Sequence, residues 1–266
     1  YEQKNCDFEN EKWFASRKLD GVRCIIRKEG SKINAFSRAG KEFTTLQRVL
    51  DDVAKMPGDF VLDGEICIMD KNGNEDFQGI MKEIKRKDHT IRNPKYIVFD
   101  YLTLEEFDSK KGEQFLSNRI RTAIDNCWGV DNTLSVLEQE KVKNVEHLSE
   151  LISDADKNGY EGIMLRKDCG YQGKRTKNLL KCKQFHDAEY KVIDLDFDTN
   201  RVIVDGKEVE EMMLRNVIIE HKGNKVSVGS GFSHEEKRYY YENPSKLLNK
   251  TITVQYFEES INQSGE

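Results

Sequence analysis

A tight antiparallel turn near the start of the chain constrains the fold more than any other feature. Residues 12–18 and 22–28 have the composition of β-strands, and Asp20-Gly21 between them is a common two-residue hairpin signal. A second turn, "EGS" at 29–31, leads into a further strand at 32–37. The chain is therefore expected to open with an antiparallel β-meander.

Helices and strands alternate through the middle of the chain. The expected helices cover four segments: 44–56, 75–86, 115–126 and 145–157. The expected strands cover four more: 60–70, 96–102, 134–139 and 160–167. Thr44 and Gln47 have the spacing of a capping box, which predicts that the first helix begins at residue 44. This mixture favours an α+β domain of antiparallel sheets with flanking helices.

The pattern changes to all-β from residue 187 onward. The expected strands are 189–197, 200–205, 213–220, 225–228 and 250–257, and a short helix, "SHEEKRYYYEN", precedes the last of them. Five strands and one helix are typical of an OB-fold β-barrel, a common nucleic-acid binder. We therefore expect two domains, residues 1–187 and residues 188–266.

The composition excludes several functional classes. No stretch approaches the roughly 20 consecutive apolar residues that span a bilayer, and no signal-peptide pattern is present. The six cysteines form no C-x-x-C pair, which argues against a zinc ribbon or a thioredoxin-like site. Such scattered cysteines suit a reducing, cytoplasmic compartment, and any metal ion is expected to be held by oxygen ligands.

The net charge of −5 argues against a nucleic-acid partner, but the charge is unevenly distributed along the chain. Residues 188–266 carry 10 Lys and Arg against 15 Asp and Glu, so the rest of the chain is balanced. Within that balanced part, "GKRTKNLLKCK" (173–183) contains five cations and no acid. Because local potential decides phosphate binding, this run is a candidate phosphate contact. The bland alternative is a solvated loop.

Polar residues recur at the ends of the expected strands, in an order that a core does not require. The series is Lys18-Leu-Asp20-Gly21-Val-Arg23, Ser37-Arg38-Ala-Gly40, Asp63-Gly64-Glu65, Phe99-Asp100, Glu161-Gly162 and Lys181-Cys-Lys183. One K-x-D-G motif alone is weak evidence, but the six elements in this order resemble the covalent nucleotidyltransferases. That superfamily comprises ATP-dependent DNA ligases, RNA ligases and mRNA capping enzymes.

The resemblance implies covalent catalysis by a lysine. A lysine amine can attack the α-phosphate of a nucleotide only when it is unprotonated, and nearby positive charge disfavours the ammonium form. Lys18 would be the nucleophile that forms lysyl-AMP, with Asp20 a supporting carboxylate. Lys181 and Lys183 would hold the AMP phosphate, and Glu161 would bind a catalytic Mg²⁺ or Mn²⁺ ion.

The same resemblance assigns residues that bind the nucleotide and the nucleic acid. Arg23 and Arg38 would contact the nucleotide and the nick phosphate, Glu65 would reach the ribose or the metal ion, and Phe99 would stack on the adenine. The proposed DNA contacts are Arg38, Lys174, Arg175 and Lys177. Some of these residues have a simpler interpretation. Phe99 would then be a core side chain, and Glu65 and Glu161 would be ordinary residues at hairpin ends. Arg119 matches a further family arginine without a sharply defined role.

Within the superfamily, ATP-dependent DNA ligases of the compact viral and phage type are favoured. The supporting segments are "SRAGK", "YIVFDYL" and "GYEGIMLR". The expected activity is sealing of nicked duplex DNA by a monomer, with ATP as the AMP donor and no membrane association. The alternatives are an RNA ligase, a GTP-dependent capping enzyme and a non-catalytic protein that binds nicks or ends.

One departure from the family pattern concerns the end of the chain. Family members carry a basic C-terminal motif that closes over ATP, whereas "VQYFEESINQSGE" (254–266) stops where that motif should begin. We interpret "YFEES" and "SGE" as the lead-in to a missing strand, so the OB-fold domain is expected to be trimmed. A viral or bacterial origin is compatible with this compact plan.

Overall fold

The computed structural model describes residues 6–130, 133–183, 185–204 and 207–256. The chain divides into two compact units, residues 1–184 and residues 185–266. The expected lead-in to a missing strand falls mostly on residues 257–266, which lie outside the described residues.

The first unit contains nine strands and five α-helices among its described residues. The strands are β1 (Trp13–Arg17), β2 (Val22–Glu29), β3 (Lys32–Ser37), β4 (Phe60–Cys67), β5 (Lys95–Leu102), β6 (Leu134–Val136), β7 (Glu140–Lys141), β8 (Ile163–Lys167) and β9 (Leu179–Cys182). The helices are α1 (Gln47–Val53), α2 (Phe77–Glu83), α3 (Leu104–Ser109), α4 (Leu116–Cys127) and α5 (Val145–Lys157).

These strands form two sheets. The larger sheet has the order β3-β2-β4-β5-β6, in which the β5–β6 pair is parallel and the other pairs are antiparallel. The smaller sheet has the antiparallel order β7-β1-β8-β9. The expected α+β arrangement of antiparallel sheets with flanking helices is therefore confirmed.

Each sheet has one apolar face and one face that carries polar side chains. On the larger sheet, Ile26, Leu62 and Tyr96 are fully buried in the main core. The Tyr96 hydroxyl lies 3.0 Å from two main-chain carbonyl oxygens, those of Cys24 and Leu62. Because strand side chains alternate between faces, Arg23, Glu65 and Ile97, which are paired in register, lie on the opposite face.

The smaller sheet is built in the same way. Ala15, Leu165 and Leu180 pack in a second core, which includes residues of α5. Burying one such leucine contributes roughly 1.5–3 kcal/mol. Ser16, Met164 and Lys181 are register partners, so they lie side by side on the opposite face.

The structure corrects the expected start of the first helix. The helix begins after Leu46, which makes no side-chain capping hydrogen bond, so the expected capping box at Thr44 does not form. A capping box does form at Thr103 and Glu106, where it starts α3, a helix that the sequence interpretation did not include. Asp76 caps α2 by accepting a hydrogen bond from the Gly79 N–H at 2.8 Å.

The second unit is a four-stranded antiparallel sheet with one α-helix among its described residues. Its elements are β10 (His186–Val204), β11 (Lys207–His221), β12 (Asn224–Val228), α6 (His234–Glu242) and β13 (Thr251–Tyr256), with a 3₁₀ turn at Pro244–Lys246. The sheet order is β12-β11-β10-β13.

The expected count of five strands was wrong for this unit. The segments 189–197 and 200–205 belong to one strand, β10, which is 19 residues long. Its first part pairs with β13, and its remainder pairs with β11 across two register shifts. These irregularities allow the strand to bend without a break, because a bulge adds a residue on one side of a ladder.

Two further observations bear on functional class. No helix within the described ranges is long and apolar enough to cross a membrane. The six cysteines are all free.

Candidate active site

The nucleophile candidate stands where β1 ends. The Lys18 main-chain N–H donates to the Gly162 carbonyl oxygen at 2.7 Å, and its Nζ atom contacts Oε2 of Glu161. A side chain at position 162 is excluded, because φ is +136° and a Cβ atom would lie 2.5 Å from the Cys182 carbonyl oxygen. The glycine therefore lets the strand ends that carry Lys18 and Glu161 approach one another.

A second lysine completes this cluster. Lys183 directly follows β9, and its Nζ lies 2.8 Å from Oε1 of Glu161. The side chains of Lys18, Glu161 and Lys183 are only 16–18% exposed. Lys181 lies two residues earlier, within β9, and is exposed, with no ion pair to any described residue. Of the two predicted phosphate-binding lysines, the structure thus brings Lys183 into the cluster.

Glu161 lies between two ammonium groups. Burial alone would raise the pKa of this carboxyl, but hydrogen bonds from Lys18 and Lys183 lower it below its ordinary value. Glu161 is therefore ionised, and the three side chains together carry one net positive charge. A net positive cluster at the ends of three strands suits an anionic ligand such as a phosphate group.

The larger sheet contributes a second group of charged residues. Arg23 donates to both carboxylate oxygens of Asp63, at 2.9 and 2.5 Å, in a bidentate ion pair. Glu65 is the register partner of Arg23. Burial, which outweighs the attraction of Lys18, raises the pKa of Glu65 to about 7. The predicted nucleotide contact Arg23 is thus held by Asp63, and Glu65 lies within the electrostatic reach of Lys18.

Phe99 connects the two sheets. It packs against a small cluster that contains Leu19 and Leu137. The Cζ atom of Arg166, from β8, lies 4.9 Å from the centroid of the Phe99 ring. Since Phe99 belongs to β5 and Arg166 to β8, this contact places the polar faces of the two sheets opposite each other across a gap.

Arg166 was not predicted from the sequence. Only 9% of it is exposed, and its Nη1 atom donates to the Ser16 hydroxyl at 2.8 Å. Burial lowers the pKa of this guanidinium to about 10. The available signal was the alternation of β8, because Ile163 and Leu165 face the second core and Arg166 therefore faces the gap.

A third group supports the turn that carries the nucleophile. Arg17 Nη2 lies 2.6 Å from Glu75 Oε1, and the Asp20 N–H donates to Glu75 Oε2 at 3.1 Å. The Arg17 guanidinium also lies over the Tyr160 ring, 4.9 Å from its centroid. Glu75, which the sequence interpretation did not single out, thus fixes the residues on both sides of Lys18.

Arg119 is buried in a network of hydrogen bonds that connects three segments of the first unit. It is 4% exposed and forms a bidentate pair with Asp100, at 2.7 and 3.0 Å. It also donates to the main-chain oxygens of Gln114 and Cys169. The guanidinium therefore ties α4 to β5 and to the segment after β8.

The predicted DNA contacts all lie on the surface of the first unit. The exposed residues are Arg38, Lys174, Arg175 and Lys177. None of them forms an ion pair with a described residue. They are not part of the lysine cluster.

The carboxylates near Lys18 have the oxygen atoms that a divalent cation prefers, but they do not form a complete set of ligands. No group of three His, Cys, Asp or Glu residues able to hold a metal ion occurs in the described part of the chain. Glu65 and Glu161 offer the hard oxygen atoms that Mg²⁺ prefers, and Mg²⁺ is usually held by one or two carboxylates together with water and substrate phosphates. The two glutamates therefore fit such an ion as partial ligands.

Comparison with known proteins identifies one family of relatives. The family described as "ATP dependent DNA ligase domain" matches residues 2–183. A DNA ligase of Methanococcoides burtonii is 31% identical over 179 residues, which are 62% of this chain and 31% of that protein. The chain thus spans about a third of the length of this curated relative.

Two solved structures match nearly the whole chain. The one named "Pmar-Lig_Pre." is 26% identical, with a TM-score of 0.76, and the match covers 96% of this chain and 60% of the other. The second, described as "DNA binding with a minimal scaffold: Structure-function analysis of Lig E DNA ligases", has a TM-score of 0.66 and covers 100% of this chain and 92% of the other. At 20% identity, this second match shows a shared fold alone.

Proposed function

The chain belongs to the ATP-dependent DNA ligase domain family, and from this premise we propose that it seals nicks in duplex DNA through a lysyl-AMP intermediate. The neutral Lys18 amine attacks the α-phosphorus of ATP, the bond to the leaving pyrophosphate breaks, and AMP remains on Nζ. The AMP then passes to the 5′-phosphate of a nick and restores the lysine. Finally, the 3′-hydroxyl attacks that phosphate, and AMP leaves as the strand is sealed.

One observation carries this proposal. Three side chains that the family pattern assigns to covalent nucleotidyl transfer form one contact cluster. They are Lys18, Glu161 and Lys183, and they lie at the ends of β1, β8 and β9. Two cations around one carboxylate leave a net positive charge, which would stabilise the negative charge that develops on the transferred phosphate. The chain spans about a third of the length of these curated relatives. The complete reaction is therefore a proposal for this chain and is not carried over from them.

The remaining roles extend this proposal to the nucleotide. Lys181 would join Lys183 at the AMP phosphate, because Lys181 belongs to β9 and Lys183 follows two positions later, where alternation places it on the same side. Phe99 would stack on the adenine, and Glu65 would reach the ribose or the metal ion. Asp20 would support the nucleophile, while Arg23 and Arg38 would contact the nucleotide and the nick.

The two units would correspond to two domains with different roles. Residues 1–187 would be the nucleotidyltransferase domain, and residues 188–266 would be an OB-type domain. The long β10 strand, which pairs first with β13 and then with β11, is the kind of bent strand from which such barrels are built. The protein would act inside the cell as a monomer on nicked duplex DNA.

A labelling experiment tests the function directly. The purified chain is incubated with radiolabelled ATP or GTP, and covalent transfer is measured by gel and by intact mass. Nicked DNA and nicked RNA are then added to the labelled protein. We expect label from ATP and sealing of DNA. Label from GTP alone would favour a capping enzyme, sealing of RNA alone an RNA ligase, and no label a binding protein.

Removal of divalent cations provides a further test. Because the available ligands are carboxylate and phosphate oxygens, labelling should require Mg²⁺ or Mn²⁺ and should not require zinc. EDTA should abolish the label, Mg²⁺ should restore it, and a zinc-selective chelator should have no effect. Full labelling in EDTA would contradict the proposed metal dependence.

A further inference from the structure

A buried amide oxygen beside Phe99 accepts no hydrogen bond from the described part of the chain. The Gln139 Nε2 atom donates to the main-chain oxygen of Phe99 at 3.0 Å. Since a carbonyl oxygen can only accept, this bond fixes which end of the amide is nitrogen. The other end, Oε1, is shielded from solvent, and no described residue donates to it. Leaving such an acceptor without a partner is unfavourable, so a ligand that donates to it would bind more tightly.

Gln139 stands where the chain passes from one sheet to the other. Leu137, two residues earlier, donates its N–H to the Val98 carbonyl oxygen at 2.7 Å and packs with Leu19 and Phe99. Glu140, the next residue, begins β7 and is the register partner of Ala15 in β1. Gln139 is therefore anchored to the strand that carries Phe99, next to the strand that leads to Lys18.

The group at position 6 of a purine base decides whether the base can donate a hydrogen bond to this oxygen. Adenine carries an amino group at position 6, which is a donor, whereas guanine and hypoxanthine carry an oxygen there, which is an acceptor. We propose that Gln139 determines the nucleotide specificity of the site, with Oε1 accepting a hydrogen bond from the 6-amino group of a purine stacked on Phe99. This inference rests on the proposed function and adds to it the residue that distinguishes ATP from 6-oxo purine nucleotides.

The test compares nucleotides that differ only at position 6 of the base. ATP, purine riboside triphosphate (hydrogen at this position) and inosine triphosphate (oxygen) are supplied to the wild type at subsaturating concentration, and the rate of lysyl-nucleotide formation is measured. We expect the wild type to use ATP about tenfold or more faster than the 6-hydrogen analogue, which corresponds to one hydrogen bond. Inosine triphosphate should be slower still. Equal rates with all three would overturn the proposal.

Variants separate recognition from support of the fold. Gln139→Ala should bring the rate with ATP close to the rate with the 6-hydrogen analogue, so the ratio of the two falls toward one. Glu138→Ala, at the exposed neighbouring position, should keep the wild-type ratio. If Gln139 only positions Phe99, its loss should slow all three nucleotides equally and preserve the ratio, which would overturn the proposal. If the wild type forms no covalent intermediate with any nucleotide, the proposed function fails as well.

Discussion

The environment of Lys18 shows how single side chains set the chemistry. In the free protein, the ammonium group of Lys18 is held by Glu161, which also holds Lys183. Attack on a phosphate requires the neutral amine, so the proton must leave before the N–P bond forms. Binding of a triphosphate would compete with Glu161 for both lysines. Under the proposed function, the cluster would exchange a carboxylate partner for phosphate oxygens.

Replacement of the nucleophile should separate the steps of the reaction. Lys18→Ala should abolish covalent AMP labelling and the sealing of an ordinary nick. It should still seal a nick that already carries 5′-AMP, because the last step does not use the lysine as a nucleophile. Lys12→Ala, at an exposed position before β1, serves as the control and should label normally. AMP labelling of Lys18→Ala would refute the assignment.

Glu65 should make stability depend on pH. Burial raises its pKa from 4.5 to about 7, so the folded chain binds more protons than the unfolded chain between those values. The contribution of Glu65 to stability should therefore fall as pH rises through this window and reach its lowest level above it. Glu65→Gln carries no charge at any pH. It should be more stable than the wild type at pH 8, by on the order of 1–3 kcal/mol, and similar at pH 4.5.

Urea unfolding in EDTA, followed by tryptophan fluorescence, measures this difference. Both tryptophans, Trp13 and Trp128, belong to the first unit, and Trp13 is buried, so the signal reports the unit that contains Glu65. Glu105→Gln, at an exposed position of α3, is the control and should give the same difference at both pH values. A stability difference for Glu65→Gln that does not change with pH would contradict the expected protonation.

At the scale of elements, one buried carboxylate of the small helix α1 bonds to the segment that leads into the last strand of the larger sheet. Asp52 is 4% exposed, and its Oδ2 accepts hydrogen bonds from the N–H and the hydroxyl of Thr133, at 3.1 and 2.8 Å. Thr133 immediately precedes β6, the last strand of the sheet. The carboxylate therefore joins two elements that are far apart in sequence.

Removing that carboxylate should destabilise the first unit. Asp52→Ala leaves the Thr133 donors without a partner, so we expect the free energy of unfolding to fall by about 1–3 kcal/mol. Asp51→Ala, the exposed neighbour on the same helix, should change it by less than about 0.5 kcal/mol. The measurement is the same urea titration at pH 7. Equal effects of the two variants would show that Asp52 does not anchor the helix.

Local patterns in the sequence predicted most elements but not their tertiary partners. The Asp20-Gly21 turn and the alternation in "YIVFDYL" were sufficient to place β1, β2 and β5. Residues 198–199 were left outside the expected strands, yet they pair with β11, because bulges absorb the irregularity and the neighbouring strand supplies the hydrogen bonds.

The same limit applies to the candidate site. Lys18, Glu161 and Lys183 were predicted because each belongs to a short motif, and the structure brings them together. Gln139 belongs to no motif, and the segment "GYEGIMLR", which ends at Arg166, assigned no role to that arginine. Both residues are singled out by their contacts with Phe99, which lies far away in sequence. Such partners depend on how two sheets face each other, which no local pattern encodes.

At the scale of the whole molecule, charge is distributed unevenly. The last 79 residues carry the entire net charge of −5, whereas the basic run 173–183 lies in the balanced part. Arg175, Lys174 and Lys177 are exposed and form no ion pair with any described residue, so their charges are available to an external phosphate. Under the proposed function, this acidic protein would hold DNA through a local contact in which the phosphate backbone meets this loop rather than the acidic unit.

Arg175 is the best candidate for the 5′-phosphate of the nick, because its planar guanidinium can bind phosphate oxygens in a bidentate manner. Arg175→Ala should leave lysyl-AMP formation largely intact and slow AMP transfer to the nick. Binding should also depend less on salt, with the slope reduced by about one unit for each phosphate that the variant no longer binds. Single-turnover sealing by the pre-adenylated protein across a salt series measures both effects.

The control is Arg121→Ala, which removes an exposed arginine from α4 of the same unit and alters the net charge equally. If general electrostatic attraction holds the DNA, both variants should weaken binding to the same degree, since each removes one positive charge. If the loop contacts the nick, only Arg175→Ala should slow transfer and reduce the salt slope. Equal rates and equal slopes for wild type and Arg175→Ala would mean that residues 173–177 are a solvated loop, and the DNA contact would then have to lie on another surface of the first unit.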